Sequence, residues 1–164
     1  MFDLTSPSPD QPKTKLYGRL HRDLKTLFEG ERDPIANAAN MAALLFHGLP
    51  DLNWVGVYIL RGDELVLGPF QGKPACVRIP VGRGVCGAAV ARGETLVVPD
   101  VHAFPGHIAC DHASQSELVV PLRRDDRITG VLDLDSPRQS RFDEADRRGC
   151  EALAAFFTAA SDPF

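Results

Sequence analysis

Trp54-Val-Gly-Val-Tyr-Ile-Leu60, Arg61-Gly-Asp63 and Glu64-Leu-Val-Leu-Gly-Pro-Phe70 are the residues on which the fold turns. β-Branched, aromatic and aliphatic side chains on both sides of a short polar link are the pattern of two strands joined by a tight turn. Toward the N-terminus the period changes. Leu16, Leu20, Leu24, Leu27 and Phe28 recur at three and four, which predicts an amphipathic helix over about Lys15–Glu29, ended by Gly30. Asp33-Pro34 offers an N-cap followed by proline at the first helical position, so a second, Ala-rich helix runs to about Phe46, with Gly48 and Pro50 closing it. Residues 1–13 carry proline and polar turn signals without periodicity, which predicts a flexible tail ahead of a single domain over 14–164.

Toward the C-terminus, Cys76–Pro80, Thr95–Val98, Leu118–Arg123 and Ile128–Asp135 read as strands, the last two joined across Asp125-Asp126. A short helix is expected over Val85–Ala91. A longer one runs from about Asp143 to Ala160, with Phe142, Leu153, Phe156 and Phe157 along its apolar side. Helices flanking about six strands predict an α+β fold: a central antiparallel sheet with the N- and C-terminal helices on one face. Connecting loops would cover the other face and enclose a pocket.

The chain has 164 residues, 44% hydrophobic and 24% charged, which suits one globular domain with a real core. Lys plus Arg number 18 against 22 Asp plus Glu, a formal charge of -4, so no concentrated basic surface for nucleic acid is expected. No apolar run approaches the ~18 residues of a membrane helix. The opening Met1-Phe-Asp-Leu-Thr-Ser-Pro-Ser-Pro-Asp10 has no export signal, so the expected location is cytoplasmic. In a reducing compartment four cysteines suggest chemistry or burial before structural disulfides.

The longest stretch with weak periodicity is Asp100-Val-His-Ala-Phe-Pro-Gly-His-Ile-Ala-Cys-Asp-His-Ala-Ser-Gln-Ser-Glu117, and such loops are often functional. Cys110 lies near His107 and His112, which could support a thiolate. An inert buried cysteine and a metal site on His107, Cys110 and His112 are the other readings, although no Cys-x-x-Cys pair is present. Were Cys110 a nucleophile that ended as a sulfenic acid, Cys76 or Cys86 could resolve it to a disulfide. Cys150, inside the terminal helix, reads as core. In Val131-Leu-Asp-Leu-Asp135, strand alternation puts Asp133 and Asp135 on one face and Leu132 and Leu134 on the other. The aspartates then either face water on an edge or point into the pocket, where desolvation raises their pKa and suits them to hold an ammonium or a proton. Trp54 and Tyr58 share a strand face, as core or as the apolar wall of a small-ligand site. Gly82, Gly84 and Gly87 lack the lysine and hydroxyl partners of a phosphate loop.

Taken together, Gly68-Pro-Phe-Gln-Gly-Lys-Pro-Ala-Cys76, Gly82-Arg-Gly-Val-Cys-Gly87, Asp100–Asp111, Ser116-Glu-Leu-Val-Val-Pro121 and Gly130-Val-Leu-Asp-Leu-Asp-Ser136 resemble the free methionine-(R)-sulfoxide reductases, single GAF domains that act as enzymes. The likeness spans about Leu16 to Phe157. It implies a GAF fold and reduction of free methionine-(R)-sulfoxide, with Cys110 as catalytic cysteine, Cys76 as its usual resolving partner and Cys86 as a third cysteine lining the site. It further implies that Glu117, Asp133 and Asp135 bind the substrate's amino group and assist protonation of the sulfoxide oxygen, and that Trp54 and Tyr58 wall the pocket. Thioredoxin is the implied reductant, with no metal or organic cofactor. The N-terminal helices could pair in a homodimer. The competing expectation is a non-catalytic GAF module that binds a small ligand or senses redox state through its cysteines; a metal-dependent hydrolase comes third.

Overall fold

In the computed structural model residues 11–106 and 111–164 are described. Residues 1–10 of the tail expected over 1–13, and His107 and Cys110 of the long loop, lie outside them. The elements follow in the order α1 (Lys13–Leu27), α2 (Pro34–Gly48), β1 (Trp54–Arg61), β2 (Glu64–Gly72), β3 (Arg78–Pro80), α3 (Gly84–Arg92) and β4 (Leu96–Val98). A single 3-10 turn at Val101–Ala103 leads to β5 (Ser116–Arg124), β6 (Arg127–Ser136) and α4 (Glu144–Ala160). The six strands form one sheet in the order β3-β2-β1-β6-β5-β4, antiparallel at every pairing. The α+β fold with a six-stranded antiparallel sheet is as the sequence predicts.

Local chemistry accounts for the element ends. The Asp33 carboxylate accepts from the backbone N–H groups of Ile35 and Ala36, each at 2.9 Å, satisfying two donors that the helix itself leaves open. Asp143 caps α4 and is bound in return by the Asp146 side chain, a reciprocal capping box. Asp125 and Asp126, at φ 48° and 62°, make the β5–β6 turn; two left-handed residues match the twist of the strands they join. α1 begins at Lys13, where the Lys13 ammonium meets Asp143 at 2.8 Å and Asp146 at 2.5 Å. β3 starts two residues later than expected. The chain at Cys76 is engaged elsewhere, because its carbonyl accepts the hydroxyl of Tyr58.

The sheet sorts its side chains by alternation. Val55, Val57 and Ile59 of β1, Leu118, Val120 and Leu122 of β5, and Leu132 and Leu134 of β6 pack against α1, α2 and α4. Leu20, Leu24, Met41, Leu45, Leu153 and Phe157 complete that layer from the helices. Each fully buried side chain of this size contributes roughly 1.5–3 kcal/mol, so this layer supplies most of the stabilising burial. The opposite face carries Trp54, Tyr58, Val119 and Val131, with Leu96 and Val98 of the edge strand β4, and packs against Val101 and against α3 through Val85, Cys86, Ala88 and Ala89. The helices therefore hold one side of the sheet, and the loops and α3 enclose the other, as expected.

One polar cluster is built into the helix side. Asp146, fully buried, accepts from Tyr17 Oη at 2.9 Å, from Arg141 at 3.0 Å and from Lys13. Cys150 lies fully buried beside it, its Sγ 3.6 Å from Tyr17 Oη. Burial pushes the Cys150 thiol up to about 12, so it stays protonated. Cys150 is core, as its place in the helix predicts.

Candidate active site

Strand register assembles the site. Asp135 stands opposite Trp54 of β1 on one side and Glu117 of β5 on the other; Asp133 lies between Gly56 and Val119 in the same way. Because Leu132 and Leu134 face the helices, Asp133 and Asp135 project to the α3 side, together with Glu117. Glu117 and Asp133 are each 6% exposed. The cavity they line is closed by Trp54, Tyr58, Cys86, Lys73, Asp111 and Ser114.

Two glycines make room for the aromatic wall. A Cβ on Gly56 would collide with the Trp54 ring and with Phe70, so only glycine lets the indole lie across β1. Trp54 then stacks on Phe70 at 5.4 Å and 15° and on Tyr58 at 5.8 Å and 27°. Gly72, at φ 124°, turns the chain out of β2 beside Trp54 and into the irregular segment 73–77. That segment is a strap across the wall: Trp54 Nε1 donates to the Lys73 carbonyl at 3.1 Å, and Tyr58 Oη donates to the Cys76 carbonyl at 3.0 Å.

Cys86 comes from the first turn of α3. Its Sγ donates to Glu117 Oε1 at 3.9 Å, and Asp133 joins the same network. Asp133 Oδ1 is buried without a hydrogen-bond partner among the described residues. Such an unmet acceptor is costly unless a ligand or a proton completes it. Burial, then the charges of Asp133 and Asp135, hold the Glu117 carboxyl well above the ordinary range. Burial and then Asp133 do the same to Asp135, and burial lifts Asp133 to about 7. Burial, then Asp133 and Glu117, raise the Cys86 thiol, so it is a thiol and hydrogen-bond donor at neutral pH. Burial and then Asp133 also keep Tyr58 a phenol. Three buried acids in contact titrate as a group, and near neutral pH the group retains protons.

The donor atoms of Cys86, Glu117 and Asp133 lie within 4.8 Å of one another, close enough to surround one small cation or to receive an ammonium. The set has no histidine and differs from the His107, Cys110 and His112 alternative, of which only His112 is described. Cys76 is disulfide-bonded and half-buried, whereas Cys86 and Cys150 are free thiols. Thus Trp54, Tyr58, Cys86, Glu117, Asp133 and Asp135 converge on one cavity with Cys76 on the strap at its edge. Cys110 lies outside the described residues.

A polar rim was not anticipated from sequence. Asn53 Nδ2 donates to Asp111 at 3.2 Å and to Ser114 at 3.0 Å, and Lys73 Nζ pairs with Asp111 at 3.3 Å. Asp111 also accepts from the Ala113 backbone N–H; that bond, followed by those from Asn53 and Lys73, outweighs burial and lowers its carboxyl below the ordinary range. The only local signal is Asp111 two residues before Ala113, the spacing of an Asx turn.

The GAF domain model matches residues 23–160. The free methionine-R-sulfoxide reductase of Escherichia coli (strain K12) is 55% identical over 143 residues, 87% of each chain. The free methionine-R-sulfoxide reductase of Saccharomyces cerevisiae is 39% identical over 93% of this chain and 89% of its own. Among solved structures, the free methionine-R-sulfoxide reductase of Neisseria meningitidis in complex with its substrate superposes with a TM-score of 0.91 at 45% identity, covering 98% of this chain and 95% of that one.

Proposed function

The chain belongs to the GAF domain family and, within it, to the free methionine-R-sulfoxide reductases, and from that premise we propose that it reduces free L-methionine-(R)-S-oxide to L-methionine through a thiol, sulfenic acid and disulfide cycle. The observation that carries the reading is the grouping of Glu117, Asp133 and Asp135, all raised in pKa, against the Trp54 and Tyr58 wall.

A sulfoxide sulfur accepts a nucleophile readily only when its oxygen is protonated. The acid trio answers both demands of the substrate: an ionised member pairs with the α-ammonium, and a protonated member delivers its proton to the sulfoxide oxygen. The methyl group rests on the aromatic wall. Cys110, assigned by the family pattern, attacks as a thiolate. The S–O bond breaks, methionine leaves with its sulfur reduced, and the hydroxyl passes to Cys110 as a sulfenic acid. The Cys76 thiol then attacks that sulfur, the S–S bond forms and water departs. Support comes from the redox state of the thiols, since Cys76 is in a disulfide while Cys86 is a buried free thiol bonded to Glu117. Cys86 is accordingly read as a donor that steadies the acid trio.

An external dithiol must return the two electrons, and thioredoxin in the cytoplasm is the proposed source. Val77, next to Cys76, is 65% exposed and offers an apolar contact beside the disulfide. The test follows NADPH oxidation through thioredoxin reductase and thioredoxin, with the free R and S epimers offered separately and Cys110→Ser as control. Turnover on the R epimer alone, absent in the control, is expected. No turnover on either epimer by folded, reduced protein would overturn the reading in favour of a ligand-binding or redox-sensing module.

A further inference from the structure

Tyr58 and Trp54 each have a second engagement besides lining the cavity. Both are buried, and both spend their one polar hydrogen on the backbone of the strap: indole to the Lys73 carbonyl, phenol to the Cys76 carbonyl. The strap between these two anchors contains Pro74 and Ala75, which make no ladder hydrogen bond among the described residues. β3 begins only at Arg78, and just before it the Val77 carbonyl accepts from the Leu67 N–H of β2 at 3.0 Å. Besides its disulfide, Cys76 is thus held through its carbonyl by Tyr58 and through the next residue, Val77, by β2.

Resting on the reductase reading above, we propose that Tyr58, aided by Trp54, is a positioning residue for the resolving half-reaction: its hydroxyl fixes the peptide plane of Cys76 so that this thiol meets the sulfenic acid. The first half-reaction needs the acid trio and the attacking thiol. The second needs a sulfur delivered by an irregular segment, whose freedom would otherwise have to be lost at the moment of reaction. Chemically the step is the condensation of Cys76–SH with Cys110–SOH, forming S–S and releasing water. Tyr58 exchanges no atom or electron in it. Because Tyr58 is stacked on Trp54, which is stacked on Phe70, the hydroxyl stands on a rigid support in β1 and β2.

The test is a single turnover of pre-reduced enzyme with free methionine-(R)-sulfoxide and no reductant, comparing wild type, Tyr58→Phe and Cys76→Ser. Methionine release, loss of free thiols and capture of sulfenic acid by a dimedone-type reagent are followed on the same samples. In wild type, two thiols are expected to vanish with each methionine released and little sulfenic acid to be captured. In Tyr58→Phe, one thiol should vanish with methionine and loss of the second should lag it on the order of tenfold, the scale of one lost hydrogen bond, with sulfenic acid captured in the interval. Cys76→Ser marks the limit in which capture is complete. Loss of both thiols in step with methionine in Tyr58→Phe, in a variant with unchanged circular dichroism, would overturn the inference. A role confined to substrate binding would slow methionine release and leave no sulfenic acid to trap. Failure of wild type to release methionine would instead sink the reductase reading.

Discussion

Glu117 and Asp135 stand directly opposite one another on β5 and β6, two carboxyl groups forming a cross-strand pair. Like charges in that arrangement oppose folding, and burial makes the opposition worse. The protein keeps the pair by leaving protons on it, which is also what a sulfoxide oxygen requires.

Glu117→Gln is close in shape to the protonated acid and takes one titratable carboxyl out of the trio proposed to donate the proton. The variant is expected to lose on the order of a hundredfold or more in kcat/KM, the usual scale for a general acid. Its thermal midpoint should stay level or rise, since a buried ionisable group is gone. Calorimetry alongside the coupled assay decides; parallel losses of activity and stability would place Glu117 in a structural role.

Stability should fall as pH rises through the acid trio. Each member's folded pKa lies above its ordinary value, so above about pH 4 the native state holds more protons than the unfolded chain, and linkage gives a negative slope. The stabilising share of Asp133 is complete below its ordinary 3.8 and is lost as pH approaches about 7. Thermal midpoints of the reduced protein across that range should decline, and Asp133→Asn should flatten the decline. An unchanged slope in Asp133→Asn would contradict this assignment.

The α-ammonium is the substrate's one cationic group, and Glu117, Asp133 and Asp135, its proposed partners, are buried. N-acetyl-methionine-(R)-sulfoxide should therefore be reduced roughly a thousandfold less efficiently than the free amino acid, because buried charge is left without its counter-ion. Comparable kcat/KM for the two substrates would remove the acid trio from substrate recognition.

Asp146 carries a different electrostatic burden. Asp146→Ala strips Arg141, whose side chain is 6% exposed, and Lys13 of their shared partner. Such a break typically costs about 3–5 kcal/mol, to be read by denaturant titration. By contrast, Cys150→Ala removes a small buried thiol and should cost about 1–2 kcal/mol while turnover per folded molecule is retained. Loss of turnover in folded Cys150→Ala would show that this thiol takes part in the chemistry.

Period-two alternation made much of this legible in the sequence. With Leu132 and Leu134 toward the helices, Asp133 and Asp135 face the other way, and alternation likewise puts Trp54 and Tyr58 on one shared face, which the structure shows to be the cavity side. The cap at Asp33 and the turn at Asp125-Asp126 were equally readable, because each is chemistry within a few residues. Asn53, Lys73, Asp111 and Ser114 were not, since they come from separate loops and meet only when the fold closes. The late start of β3 was hidden for the same reason: its cause is a hydroxyl eighteen residues away in sequence. The roles of Cys76 and Cys110 came from family resemblance, because spacing alone left several pairings open.

The sheet divides its residues so that Val55, Val57, Leu132 and Leu134 never share a surface with Trp54, Tyr58, Asp133 or Asp135, although they are their chain neighbours. Inheritance can act on the two sets separately. Alternate residues of β1 and β6 can change and alter what the cavity holds, while the intervening residues go on preserving the scaffold.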